Sequence, residues 1–179
     1  MALGSVMHTF TVSLADVDRG VYEDLTLRLA RHPSETDAYM MTRLLAYLLE
    51  YAEGIAFTDG LSQSDEPAVL VRDLTGRILT WIEVGAPDAE RMHLGTRQSE
   101  RTALYTHRDA DKVLARWQGK RIHDVERVVV RSFEPGFIEA AAGLVERRNE
   151  ATVSVSDHHL YLDLNGTNLA SEILEHPTV

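Results

Sequence analysis

The chain has 179 residues, of which 44% are hydrophobic, 26% charged and 7% aromatic, an ordinary globular composition. Cysteine is absent, which excludes disulfide frameworks, cysteine nucleophiles, Cys-based zinc sites and iron–sulfur clusters. Lys and Arg number 18 against 28 Asp and Glu, a net charge of −10; this argues against a global basic surface for nucleic acid and leaves room only for a local basic patch, while the acidic excess favours solubility and suits divalent cations.

A chain of this length buries about 70% of its unfolded surface and needs no staple. No internal repeat, low-complexity tract or long linker interrupts it, so one domain over residues 1–179 is expected. No apolar run reaches roughly 18 residues. Met1-Ala2-Leu3-Gly4-Ser5 lacks the basic and apolar regions of a signal peptide. The expectation is a soluble cytoplasmic protein with no membrane span.

In chain order, Met7 to Leu14 is a strand rich in Thr and Val, and Asp16-Val17-Asp18-Arg19-Gly20 a turn. Val21 to Arg31 carries Leu25, Leu27 and Leu29 at period two, the alternation of a strand. The strongest helix follows Pro33, with Ser34 as N-cap, Asp37 at the capping-box position and Glu35 in the positive first turn. Its apolar face is Met40, Met41, Leu44, Leu45, Leu48 and Leu49, and it runs to about Glu53 with Gly54 as terminator. Ala68 to Arg72 and Ile78 to Val84 form a β-hairpin around Leu74-Thr75-Gly76. Pro87-Asp88 opens a helix to about Gln98. Thr102 to His107 is a short strand, Asp109 to Trp117 a helix stopped by Gly119, and Val125 to Phe133 a β-branched strand. Pro135 starts an Ala-rich helix to about Arg147. Thr152 to Ser156 and Leu160 to Leu164 form a terminal hairpin, and the tail after Asn165 is expected to fray. The whole reads as a mixed sheet with helices on its faces, α+β or α/β.

Several acids sit where elements begin or end. Glu35 opens the long helix, Asp65 and Glu66 precede Pro67 at the entry of the hairpin, Glu83 lies near the end of its second strand, and Gln98 closes the next helix. Register decides which acid faces Glu83. With a two-residue turn at Thr75-Gly76, paired positions add to 151 and Glu66 is the diagonal neighbour of Glu83 on its face; with a three-residue loop and a left-handed Gly76 they add to 150 and Asp65 shares the face. Either way one acid approaches Glu83 within roughly 7–8 Å. Two carboxylates at that distance repel unless protonated or bridged by a cation. Mg²⁺ takes one or two carboxylates, keeps several waters and, bound to phosphate, activates water for hydrolysis. The same acids also serve as ordinary caps and turn residues.

Other features carry less. The methionines and leucines of the long helix belong to a core. His158 and His159, adjacent in a strand or its turn, point to opposite faces and cannot easily share a metal. No Gly-rich phosphate loop and no G-x-S-x-G occur.

Ala30-Arg31-His32-Pro33-Ser34-Glu35-Thr36 ahead of Met40-Met41 and Arg43-Leu44-Leu45-Ala46, then Asp65-Glu66-Pro67, Trp81-Ile82-Glu83-Val84-Gly85 with Pro87-Asp88, and Gln98 ahead of Ala103-Leu104, resemble the YaeQ family of bacterial proteins over nearly the whole chain. The resemblance implies a variant of the restriction-endonuclease-like PD-(D/E)XK fold. Metal ligands of that superfamily would fall on Glu35, on Asp65 or Glu66, and on Glu83, with Mg²⁺ or Mn²⁺ as the ion. The motif lysine would fall two after Glu83, where this chain has Gly85; a glycine can neither steady a leaving oxygen nor position a water. Arg91, Arg97 or Gln98 of the following helix would have to substitute, the arginines at phosphate.

Two functions of different class follow. One is a divalent-metal nuclease or phosphodiesterase using Glu35, Asp65 or Glu66, Glu83 and Gln98. The other is a nuclease-like fold without hydrolysis, acting as a binding or interaction module. The acids favour the first; Gly85 and the −10 charge favour the second.

Overall fold

The computed structural model describes residues 4–59 and 65–178; Met1, Ala2 and Leu3, part of the segment read for a signal peptide, lie outside the described residues. The elements run β1 (Val6–Asp16), β2 (Val21–Arg31), α1 (Asp37–Leu49), β3 (Ile55–Phe57), β4 (Val69–Arg72), β5 (Ile78–Val84), α2 (Ala89–Gln98), β6 (Arg101–Tyr105), α3 (Ala110–Ala115), β7 (Val129–Phe133), α4 (Phe137–Ala142), β8 (Arg148–Ser156), β9 (His159–Leu164) and β10 (Thr167–His176). This is the mixed α+β arrangement expected. The chain packs as two compact units, Met1–Leu44 with Phe133–Leu174, and Leu45–Ser132 with Glu175–Val179. No helix among the described residues is long and apolar enough to cross a membrane.

In the first unit the strand order is β2-β1-β8-β9-β10. β1 and β2 pair antiparallel over all eleven positions, Val6 with Arg31 through Asp16 with Val21, and β1 pairs parallel with β8. Period-two alternation drives the layering: Phe10, Val12 and Leu14, then Ala151, Val153 and Val155, then Leu160, Leu162 and Leu164 are buried, while Thr11, Ser13, Glu150, Thr152 and Tyr161 face water. Asn149 is buried among these strands with all its capacity used, donating from Nδ2 to Thr9 O (3.2 Å) and Glu146 O (2.6 Å) and accepting at Oδ1 from Glu146 N (2.7 Å) and Asn165 Nδ2 (2.9 Å).

In the second unit the order is β7-β6-β5-β4-β3. β5, β6 and β7 run parallel, with α2 and α3 as crossovers, and β3 and β4 add on antiparallel. Ala89 and Met92 of α2, Leu104 of β6, Val113 of α3, Trp117, Ile122, Val128 and Val130 form one core cluster. Asp88 and Asp109 cap the two helices by accepting from Arg91 N (2.8 Å) and Lys112 N (3.2 Å), the short polar side chain that a helix N-terminus needs.

Four expectations are corrected. α1 begins later and ends earlier than expected: its cap is Thr36, whose Oγ1 accepts from Tyr39 N (3.0 Å), and it stops at Leu49, not Glu53. The Ala-rich stretch forms only the short α4, and β8 starts at Arg148, because Asn149, Ala151, Val153 and Val155 alternate inward. The residues after Asn165 are β10, joined to β9 by an Asn165-Gly166 turn with both residues at positive φ (52° and 90°). Val125–Arg127 is a 3₁₀ turn, not the start of β7.

A buried polar network sits in the second unit. The Tyr105 hydroxyl donates to Glu50 Oε1 (2.8 Å) and accepts from Arg131 Nη1 (2.9 Å); Arg101 pairs with the same carboxylate, and Arg131 reaches Glu175 Oε1 (3.0 Å). Burial, reinforced by the Glu50 charge, pushes the Tyr105 phenol far above its ordinary range, so it stays a donor. Tyr105→Phe leaves Glu50 and Arg131 short of a partner each beside a buried ring, and should cost about 1–3 kcal/mol in chemical denaturation.

Candidate functional site

The hairpin of β4 and β5 resolves the register. At its tip Gly76 is left-handed (φ 88°) and Arg72 faces Ile78, the three-residue-loop pairing; a bulge between Val71 and Arg72 then shifts the ladder, so that Val71 faces Thr80, Leu70 faces Trp81 and Val69 faces Ile82. Beyond the bulge the two-residue register holds as far as Val69 with Ile82; Asp65 and Glu66 precede β4 and lie outside this ladder. The Glu66 carboxylate lies 3.8 Å from Arg72 Nη2.

Glu83 is buried, and so is Trp81, two residues earlier on the same face of β5. Trp81 Nε1 donates to Glu83 Oε1 at 2.7 Å, and Arg91 Nε of α2 donates to the same oxygen at 2.7 Å. Arg91 Nη2 also donates to the Glu66 carbonyl, and its guanidinium carbon lies 5.5 Å from the Trp81 ring centroid. Burial pushes the Glu83 carboxyl up, while the Arg91 charge and the two donated hydrogen bonds pull it back. The cation beside Glu83 is therefore a guanidinium of the protein itself, stacked on an indole and tied to the hairpin backbone.

Gly85 has φ 92°, a conformation reserved in practice for glycine, and its N–H donates to Tyr105 O (3.0 Å). A lysine two after Glu83 would be strained by the backbone alone. Gly95 has a different constraint: a Cβ there would meet Trp81 Cδ1 at 2.6 Å and Nε1 at 2.7 Å. It is the absent side chain of α2 that lets the indole lie where it reaches Glu83.

The remaining sequence candidates are distributed. Asp65 is an exposed turn residue, and Gln98 is the exposed last residue of α2. Arg97, next to it, lines a polar recess of about 550 Å³ with Thr96, Ser99, His123, Asp124 and Arg127. There Asp124 stands in the left-handed region (φ 45°) and pairs with Arg127 Nη1 (3.6 Å) and His123 Nε2 (3.3 Å). Glu35 belongs to the first unit. It is 4% exposed, and among the described residues its Oε2 accepts no hydrogen bond. Burial raises its carboxyl above the ordinary range against the opposing charges of Arg43, His32 and Arg31. Among the described residues no three His, Asp or Glu side chains converge into a metal-holding group.

Sequence reasoning missed Trp81, His123 and Arg127. Trp81 was readable, because period two puts it on the face of Glu83. His123 and Arg127 were not, because a loop brings them to the C-terminal end of α2.

Two outcomes test this geometry. Gly95→Ala should destabilise by about 1–3 kcal/mol, as overpacking does, with a change in tryptophan emission, read by urea denaturation. A carboxyl whose pKa is raised by folding stabilises most when protonated; its contribution is complete below the unfolded value near 4.5 and is lost as pH rises through the folded value. Glu35→Gln should therefore raise Tm at neutral pH, with the gain shrinking to nothing near pH 4.5, in melting curves across that window.

A profile described as "YaeQ protein" matches residues 1–173. "Uncharacterized protein YaeQ" of Escherichia coli (strain K12) is 44% identical over 107 residues, and that of Salmonella typhi 42% over 107 residues; each match covers 60% of this chain and spans 59% of the relative's length. The crystal structure of YaeQ protein from Pseudomonas syringae superposes with a TM-score of 0.86 at 32% identity, over 96% of this chain and 95% of that one. The YaeQ protein from Xanthomonas axonopodis pv. citri superposes with a TM-score of 0.87 at 26% identity, over 97% and 98%. Matched by the profile over almost its full length, the chain belongs to the YaeQ family.

Proposed function

We propose that the protein is a nuclease-like, PD-(D/E)XK-related binding module that engages phosphate groups of nucleic acid locally and does not hydrolyse them. The observation that carries this reading is the pair of donors on Glu83 Oε1: Trp81 Nε1 and Arg91 Nε, each at 2.7 Å. A carboxylate used in this way is already charge-balanced, so Mg²⁺ or Mn²⁺ would have to displace a half-buried arginine that lies over an indole before binding. The donor set suits a structural ion pair better than a hydrated divalent cation, which prefers several open oxygen ligands. Gly85, at φ 92°, supplies no side chain for a leaving group.

The recess at the C-terminal end of α2 supports phosphate contact. Arg97, Arg127 and His123 line it with the hydroxyl of Thr96 and the carboxylates of Glu100 and Asp124, and arginine forks match phosphate oxygens. Against a net charge of −10, such contact is confined to this patch and weakens steeply with salt.

The test joins binding, metal and turnover. Labelled single- and double-stranded DNA and RNA are titrated by anisotropy against the wild type and Arg97→Ala/Arg127→Ala, and incubated with Mg²⁺ or Mn²⁺ alongside Glu83→Gln; Tm is followed with each metal. The expected result is binding that the double variant weakens by about tenfold or more, no metal-dependent rise in Tm and no cleavage. Cleavage by the wild type that Glu83→Gln abolishes would restore metal-dependent hydrolysis through Glu83. Absence of binding to every probe would overturn the nucleic-acid reading.

A further inference from the structure

β2 ends the strand order of the first unit, so among the described residues one of its edges has no neighbouring strand. It is eleven residues long and pairs with β1 without a bulge. Among the described residues, no backbone hydrogen bond outside the β1 ladder is given to Val21–Arg31. Proline, lysine and bulges, three of the devices that blunt an edge, are absent from Val-Tyr-Glu-Asp-Leu-Thr-Leu-Arg-Leu-Ala-Arg; its charges are Glu23 and Arg31 on the face of Leu25, and Asp24 and Arg28 on the other. An edge of this kind is a template for another strand.

The charges on β2 say which strand. Asp24 and Arg28 are exposed on the solvent face with Tyr22 and Thr26, and neither forms an ion pair among the described residues. They lie four residues apart, about 13 Å along a strand, too far to pair with each other in one chain. A two-fold axis normal to the sheet pairs two antiparallel copies of one strand about a residue that faces itself. If that residue is Thr26, the midpoint of Val21–Arg31, all eleven positions overlap. Asp24 of each copy then faces Arg28 of the other, and Tyr22 faces Ala30. On the opposite face Leu25 meets Leu27. Sliding by two residues puts Arg28 opposite Tyr22 or Thr26 and leaves Asp24 opposite Thr26 or Ala30, so both ion pairs are lost. We propose that β2 is a homodimerisation edge, at which two copies of this chain join antiparallel about Thr26 with reciprocal Asp24–Arg28 pairs.

Charge exchange tests this independently of any ligand. Sedimentation velocity should find the wild type dimeric, and Asp24→Arg or Arg28→Asp should weaken the dimer by at least about tenfold, since two attractive cross-strand pairs become two repulsive ones. The double variant Asp24→Arg/Arg28→Asp should dimerise again. Mixing the two single variants, one carrying a mass tag, should yield a heterodimer in native mass spectrometry, because each then offers the charges the other lacks; a misfolded variant could not do this. A wild type that stays monomeric at every concentration, or single variants that dimerise as the wild type does, would overturn the proposal, as would failure of the mixed variants to associate.

Discussion

A single buried oxygen, Glu83 Oε1, organises the second unit's candidate site. Trp81 and Arg91 both donate to it, and each donor depends on a further constraint. The indole lies where it does because Gly95 has no Cβ. The Asp88 cap fixes the backbone N–H of Arg91, and the guanidinium is held by the indole face and by the Glu66 carbonyl. A buried carboxylate stripped of these partners would carry a large desolvation cost. The hairpin, the helix start and the core tryptophan are thus coupled through one ion pair, and the chemistry available to Glu83 is set by that coupling.

The second buried network follows the same logic with different parts. Glu50 lies just past the end of α1, Tyr105 ends β6 and Arg131 is in β7, and the tyrosine hydroxyl passes one hydrogen bond in each direction between acid and base. A satisfied network of this type specifies a unique packing because any other arrangement leaves a charge unpaired. Glu35 is the contrast. Its carboxyl is as buried as that of Glu50, yet among the described residues Oε2 accepts no hydrogen bond, so its burial is expressed as a raised proton affinity.

The legible parts of the fold were those with strong local periodicity. Leu25, Leu27 and Leu29 announced β2, the Met and Leu stripe announced α1, and the β4–β5 hairpin was readable from Thr75-Gly76 between β-branched runs. The errors have local causes. Alanines at 140–142 suggest a long helix, but α4 ends on them at a Gly143 cap, and the inward alternation that begins at Asn149 belongs to β8. The polar tail reads as frayed by composition, yet Asn165-Gly166, a strong hairpin dipeptide, joins β9 to β10. At the hairpin tip both loop readings were in part correct, because a bulge converts one register into the other.

From sequence alone came the family resemblance, the α+β class, the acids of interest and the glycine where a motif lysine would stand, since all of these are carried by residue identity and short-range spacing. Only tertiary structure decided what those acids touch. Arg91 follows Glu83 by eight residues across a loop and a helix start, and no periodicity in the chain ties them together; their meeting depends on how α2 packs against β5. Partner choice for a buried charge is a matter of three-dimensional proximity in a low-dielectric interior, and that information is absent from one-dimensional spacing.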